Sequence, residues 1–303
     1  MGILAAPTFK KNMSISKKAK EFAYNLYKDR WPLIQRVLNE MNHDGKFEEI
    51  SYDDEFANFD SPMNEMLFKL YDNKLKKLYF SLDNNIRIHN ALPYLIAASQ
   101  IYENSTYKIM VAGQESNDWG SEFSNSFNTL DLMRLYDFWI NGYGGITYDD
   151  RLTYRPIFQF YADYIKYNFE KESEYFQPLD VGTIYYNTLL ISKLGKGYDE
   201  NTNLFSDEIF GDILNIVKPN CILFLIGNDA RYREHLKNIF QMDFYNEITT
   251  TELLQFYPSG NNNPDIFIAG HPGGQYLNSK KLRKEVATEI QKHIKISLSK
   301  IQK

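Results

Sequence analysis

The chain has 303 residues, 43% of them hydrophobic and 16% aromatic, with 23 Tyr and 21 Phe, a composition that excludes a disordered protein and supports a sizeable core. A formal net charge of −5 argues against a broad nucleic-acid-coating surface, and a single cysteine, Cys221, excludes an internal disulfide or a thiolate metal cluster. No apolar run approaches the roughly 18 residues of a membrane span, and the first residues, MGILAAPTFKK, lack the apolar region of a signal peptide, so a cytoplasmic protein is expected.

Charge is unevenly spread. Residues 1–30 hold seven Lys/Arg against two acids and residues 279–303 hold eight against two, whereas residues 40–65 hold nine acids against one Lys. A solvated helix face explains each basic run as well as a DNA contact does.

Residues 1–105 read as a helical N-terminal region. SISKKAKEFAYNLYKDR and PLIQRVLNEMN carry helical spacing, and the acidic loop DGKFEEISYDDEFANFD follows. The next helix opens with Ser61 as N-cap and Pro62 at its first position, and Met63, Met66, Leu67, Leu70, Leu75 and Leu78 form its expected buried stripe. PYLIAASQIY is expected to add another helix.

Residues 106–303 change character. Short apolar runs at 107–112, 184–191, 221–226 and 265–269 alternate with helical periods at 128–141, 155–170, 205–217 and 230–240, before a long basic amphipathic helix at 275–302. That alternation predicts an α/β fold, three layers αβα, with a central, mostly parallel four-stranded sheet and an N-terminal helical extension. Ligands of such sheets bind beyond the carboxyl ends of the strands. Those exits carry Gly113-Gln114-Glu115-Ser116-Asn117, then Asn187, then Gly227-Asn228-Asp229, then Gly270-His271-Pro272-Gly273-Gly274.

Several chemistries lack their motifs. GxxxxGK[ST] is absent, GxGxxG does not follow a strand, and GYGG at 142–145 follows a helix and reads as its stop. The five histidines are scattered without HExxH spacing, and no GxSxG elbow occurs. No metal and no cofactor are expected.

In its order of motifs the chain resembles the uracil-DNA glycosylase superfamily. GQESNDWG, residues 113–120, is similar to that family's GQDPYH motif; a strand bearing Asn187 follows, then the apolar strand CILFLIG, then HPGG in the place of an HPSP-like motif. The likeness spans residues 107 to about 280 and leaves the first hundred residues uncovered. It implies a monofunctional DNA glycosylase acting on a flipped uracil-related or 5-modified base. The partner would be single- or double-stranded DNA, and the protein would work as a monomer without membrane or metal cluster. In that scheme Gly113 lets the base approach the backbone, Gln114 offers its amide to a base carbonyl, and Asn187 reads the Watson–Crick edge. Glu115 stands where the family has its water-positioning Asp, and His271 donates to the base oxygen that gains negative charge. Tyr276 or Leu277 would act as the wedge, and Trp119 is a further stacking candidate.

Plainer roles are open as well: Glu115 as a cap, Asn187 as a partner of strand-end backbone groups, His271 as a turn residue, Trp119 as a core or rim aromatic, with Gln114 open to either kind of reading. The departures matter as well. Ser116-Asn117-Asp118 replaces Pro-Tyr-His, removing the ring that excludes a 5-methyl group and placing Asn117 where it has room for a 5-substituent. HPGG lacks the usual Ser, Glu is one methylene longer than Asp, and the four cysteines of the iron–sulfur members are missing. The alternative is a non-catalytic module that binds a nucleotide or nucleic acid on the same fold.

Overall fold

The computed structural model describes residues 56–82, 84, 93–115, 128–137, 140–141, 161, 165, 180–189, 203–227, 230–240, 248–251, 254–258, 264–271 and 280–301. In chain order the elements are α1 (Pro62–Leu70), a π-helical turn (Tyr71–Leu75), α2 (Lys76–Ser81), α3 (Gln100–Asn104), β1 (Tyr107–Glu115), α4 (Thr129–Tyr136) and β2 (Val181–Leu189). There follow α5 (Asn203–Val217), β3 (Cys221–Phe224), α6 (Ala230–Phe240), β4 (Ile248–Thr251), β5 (Leu254–Tyr257), β6 (Asp265–Ala269) and α7 (Lys280–Ile301).

One sheet runs in the order β2-β1-β3-β6-β5-β4. β2, β1, β3 and β6 are mutually parallel, as the sequence predicts, but the sheet is wider than four strands. β4 and β5 form a hairpin that adds to β6 in antiparallel fashion, Leu254 opposite Ala269 and Tyr257 opposite Ile266. Each hairpin strand is only four residues long and at least half polar (ITTT, LQFY), so neither makes the continuous apolar run that marks the parallel strands.

Register shows how the two faces are covered. Ala112, Tyr186, Phe224 and Ile268 lie in one row across the sheet. On their face Phe210 of α5 stacks on Tyr186, and Phe210 and Phe240 of α6 meet Phe224 edge-on. The adjacent row, Tyr185, Val111, Leu223, Phe267 and Phe256, points the other way. There Tyr94 and Tyr161 pack on Tyr185, and His293 of α7 packs against Phe267 and Phe256. Helices on both faces explain why all four residues of β3 are buried. Cys221 is among them, a buried thiol whose pKa burial pushes well above its usual value.

β2 is an edge strand, and the chain before β1 wraps around it. Tyr94 lies on the Tyr185 face, while Tyr102 of α3 packs over Gly182, which faces the opposite way. Between them, residues 93–98 are buried and not helical, correcting the expectation for PYLIAASQIY. Two contacts hold that path open: Ser99 bridges to Ala57, and Asn64 donates to the Ala98 carbonyl while accepting from the Ala98 amide. The helix begins only at Ser99, whose side chain caps it by accepting from Tyr102 N. Both edge-facing main-chain groups of Tyr185 are met by one hydroxyl, that of Tyr136, which donates to Tyr185 O and accepts from Tyr185 N. At this residue the open sheet edge is thereby satisfied.

Ser61 caps α1 and Pro62 starts it, as read from the sequence. The buried stripe is Asn64, Leu67, Tyr71 and Leu75, with Met66 outside it at 46% exposure. Met66 sits one position before Leu67, about 100° round α1 from the buried face. At the far end of α5, Lys218 takes a left-handed conformation (φ 45°) and Pro219 bars further helix. Asn220 then docks β3 against β1, its amide donating to Lys108 O and its side chain accepting from Lys108 N.

The expected helices within residues 1–55 and most of that at 155–170 lie outside the described residues.

Candidate functional site

From β1 the chain passes to β2 on one side and, through β2, to β3 on the other. Open α/β sheets bind ligands at such a reversal, outside the carboxyl ends. Here that point lies between β1 and β3, with β2 and β6 flanking it.

β1 does not end at Gly113, as its apolar run suggests. It continues through Glu115, because β2 is itself long enough to supply partners up to Leu189. Gly113 pairs with Asn187 and Glu115 pairs with Leu189, so the backbones of Gln114 and Glu115 belong to the sheet rather than to a loop. Their side chains, and all of Asn117, Trp119, Tyr276 and Leu277, lie outside the described residues.

Asn187 is the best-defined member of the site. It stands at the carboxyl end of β2, 2% exposed, and the row continues into Gly113, which has no side chain. The Tyr185 hydroxyl, two residues earlier on the same face, donates to Asn187 Oδ1 at 3.1 Å. From the opposite face Thr188 donates to the Gly113 carbonyl at 2.6 Å, and His235 Nε2 of α6 lies 3.1 Å from Thr188 O. Thr188 and His235 escape a motif reading because they brace the site from behind.

On the other side of β1, the exits of β3 and β6 lie in contact. Gly227 adopts φ +63°, its amide donates to Ala269 O at 2.9 Å, and a Cβ placed on it would sit 3.7 Å from Gly270 Cα and 3.9 Å from His271 N. The turn therefore depends on a left-handed residue pressed against the backbone that carries His271. Arg233 of α6 fixes it further by donating from Nε to Gly227 O at 3.3 Å and from Nη2 to Gln255 Oε1.

His271 is partly buried, and burial lowers its imidazole pKa below the ordinary 6.5. At neutral pH the ring is therefore uncharged and offers one N–H. Stability should record this. As pH falls, the unfolded chain takes up the proton first, near 6.5, so the neutral ring's contribution is complete above that value. It is lost as pH drops toward the lower folded pKa. Urea midpoints measured between pH 7.5 and 5 should fall, and His271→Asn should flatten part of that slope.

Across the edge the order is Asn187, Gly113, Gly227, Gly270-His271. β2 and β6 are three strand spacings apart, about 14 Å. A carboxamide at one of these exits and a neutral imidazole at another are groups able to hydrogen-bond a polar heterocycle. Among the described residues no cluster of three or more His, Cys, Asp or Glu could hold a metal ion, and no helix is long and apolar enough to cross a membrane. No protein-family model matches the chain, and no curated protein matches it.

Proposed function

We propose that the chain is a DNA glycosylase-like hydrolase that releases a uracil-related or 5-modified base from DNA, with a fold of the uracil-DNA glycosylase type. The observation that carries this reading is the shared carboxyl edge. Gly113 and Asn187 stand on, and His271 just beyond, strands of one parallel set around a topological reversal, the three drawn from separate motifs.

The chemistry follows from the bond that breaks. When the C1′–N bond opens, its electron pair leaves with the base and C1′ becomes cation-like. A neutral His271 N–H would donate to the base oxygen on which charge collects. The Glu115 carboxylate would steady the sugar and orient a water whose oxygen bonds to C1′. The proton lost by that water neutralises the base anion. A base in a duplex must first leave the stack, at a cost that single-stranded substrate avoids. Gly113 and Gln114 would form the floor of the pocket, Asn187 its reading edge, and Asn117 the wall facing a 5-substituent. The N-terminal residues would help shape substrate choice.

The test is base release. Single- and double-stranded oligonucleotides carrying uracil, hydroxymethyluracil, hydroxymethylcytosine or glucosylated hydroxymethylcytosine are incubated with the protein, and alkali-labile sites are scored. Cleavage of one substrate supports the reading and names the base. DNA binding without cleavage of any would favour the non-catalytic module.

A further inference from the structure

We infer that the outward face of α7 is a track for the phosphate backbone of the DNA strand; this rests on the DNA reading above. α7 holds seven Lys/Arg against two Glu, five net positive charges in a chain whose net charge is −5, so the rest of the molecule carries ten negative ones. That remainder repels a polyanion, and this helix attracts it.

The inward face of α7 is occupied: Val286, Ala287, Ile290, Ile294 and Leu298 are buried, and His293 packs against Phe256 and Phe267. The opposite face carries Lys281, Lys284, Thr288, Lys292, Lys295 and Ser299, all exposed. At about 100° per residue these six fall within an arc of about 80°, with no acid among them. Glu285 and Glu289 flank the arc on one side and approach Lys281 and Lys292 only to 3.9 and 3.7 Å, with those lysine side chains 85% and 70% exposed. Such solvated pairs add little, so a phosphate can take their place. Thr288 and Ser299 turn their hydroxyls back onto the helix, to Lys284 O and Ile296 O, and add no negative charge to the stripe.

The helix also has the right place. It begins nine residues after His271 and runs back along the sheet, since His293 Nε2 meets Oδ2 of Asp265, the first residue of β6, at 2.8 Å. Lys281 and Lys284 therefore lie toward the carboxyl edge and Lys295 toward the other. From Lys281 to Lys295 the helix rises about 21 Å, the span of about six phosphates of one strand in a duplex. An anionic lipid surface would meet the same charge but calls for apolar side chains along the stripe, and none stands within the arc.

The test follows binding of a fluorescein-labelled single-stranded oligonucleotide of about 20 nucleotides by anisotropy, between about 50 and 200 mM NaCl. One variant combines Lys284→Gln, Lys292→Gln and Lys295→Gln; a control of equal charge combines Lys69→Gln, Lys77→Gln and Lys237→Gln, exposed lysines of other helices. The same proteins are mixed with phosphatidylserine vesicles. The α7 variant should melt cooperatively, and its slope of log Kd against log salt should be smaller by about two, while the control keeps the unsubstituted slope. An unchanged slope in the α7 variant, or an equal loss in the control, would refute the track and leave base release to its own assay. Vesicle binding that the α7 variant loses, with no binding of the oligonucleotide, would also refute it and assign the stripe to a membrane surface. The expected slope change without release of any base would keep the track and overturn the hydrolase reading alone.

Discussion

His271→Ala is expected to slow base release by about 10²–10³-fold, with DNA affinity changed little. The size reflects where the charge goes. The departing base carries a full negative charge unless a donor meets its oxygen, and a preorganised donor in a water-poor pocket is worth more than one in solvent. His271 fits the task because partial burial keeps its ring neutral and because the Gly227 amide, donating to Ala269 O, ties the exit of β6 to that of β3. Glu115→Gln should show a comparable loss by a different route, since an amide cannot stabilise the cation-like sugar. Single-turnover rates with saturating enzyme separate both effects from binding. Equal turnover in His271→Ala and the unsubstituted protein would remove His271 from the mechanism.

Gly182→Ala should destabilise the fold by about 3 kcal/mol, a fall in melting temperature of roughly 6–12 °C. A Cβ there would lie 2.5 Å from Tyr102 Cα and 2.9 Å from Ile101 O, both main-chain atoms. They cannot rotate away, and α3 cannot retreat easily, because the Tyr102 hydroxyl is bonded to Val217 O at 3.1 Å. The glycine is what lets the wrapping segment press on the β2 edge. Gly211 in α5 provides the contrast. Nothing lies within 4 Å of its would-be Cβ, so Gly211→Ala should stabilise the protein by about 1 kcal/mol through helix propensity alone. Thermal melts of the two variants side by side check the pair. Similar shifts in both would mean that α3 does not approach β2 so closely.

How much of this was legible in the sequence depends on the kind of signal. Runs such as CILF and DIFIA announce buried parallel strands because both faces need apolar side chains. Ser61-Pro62 marks a helix start through local chemistry. The hairpin β4–β5 was hidden because it needs apolar residues on fewer positions. Residues 93–98 misread as helix because their apolar run satisfies either pattern, and only distant partners, Ala57 and Asn64, decide between them. β1 outlasts its apolar stretch for a similar reason: the ladder beyond Gly113 depends on the length of β2, which lies some 70 residues away. In the site, Gly113, Asn187 and His271 were readable as strand exits. Gly227 was readable as a strand exit too, whereas Thr188 and His235 were not, since their roles come from contacts between strands and with α6.

The most direct measurement of the central claim is the mass of the reaction products in ¹⁸O-labelled water, using a single-stranded oligonucleotide with one uracil or 5-modified base. Hydrolysis at C1′ predicts an intact free base and an abasic strand that carries the heavy oxygen, with neither product from Glu115→Gln on the same timescale. A strand that keeps its mass with every base tried, at protein concentrations that bind the DNA, would contradict the account.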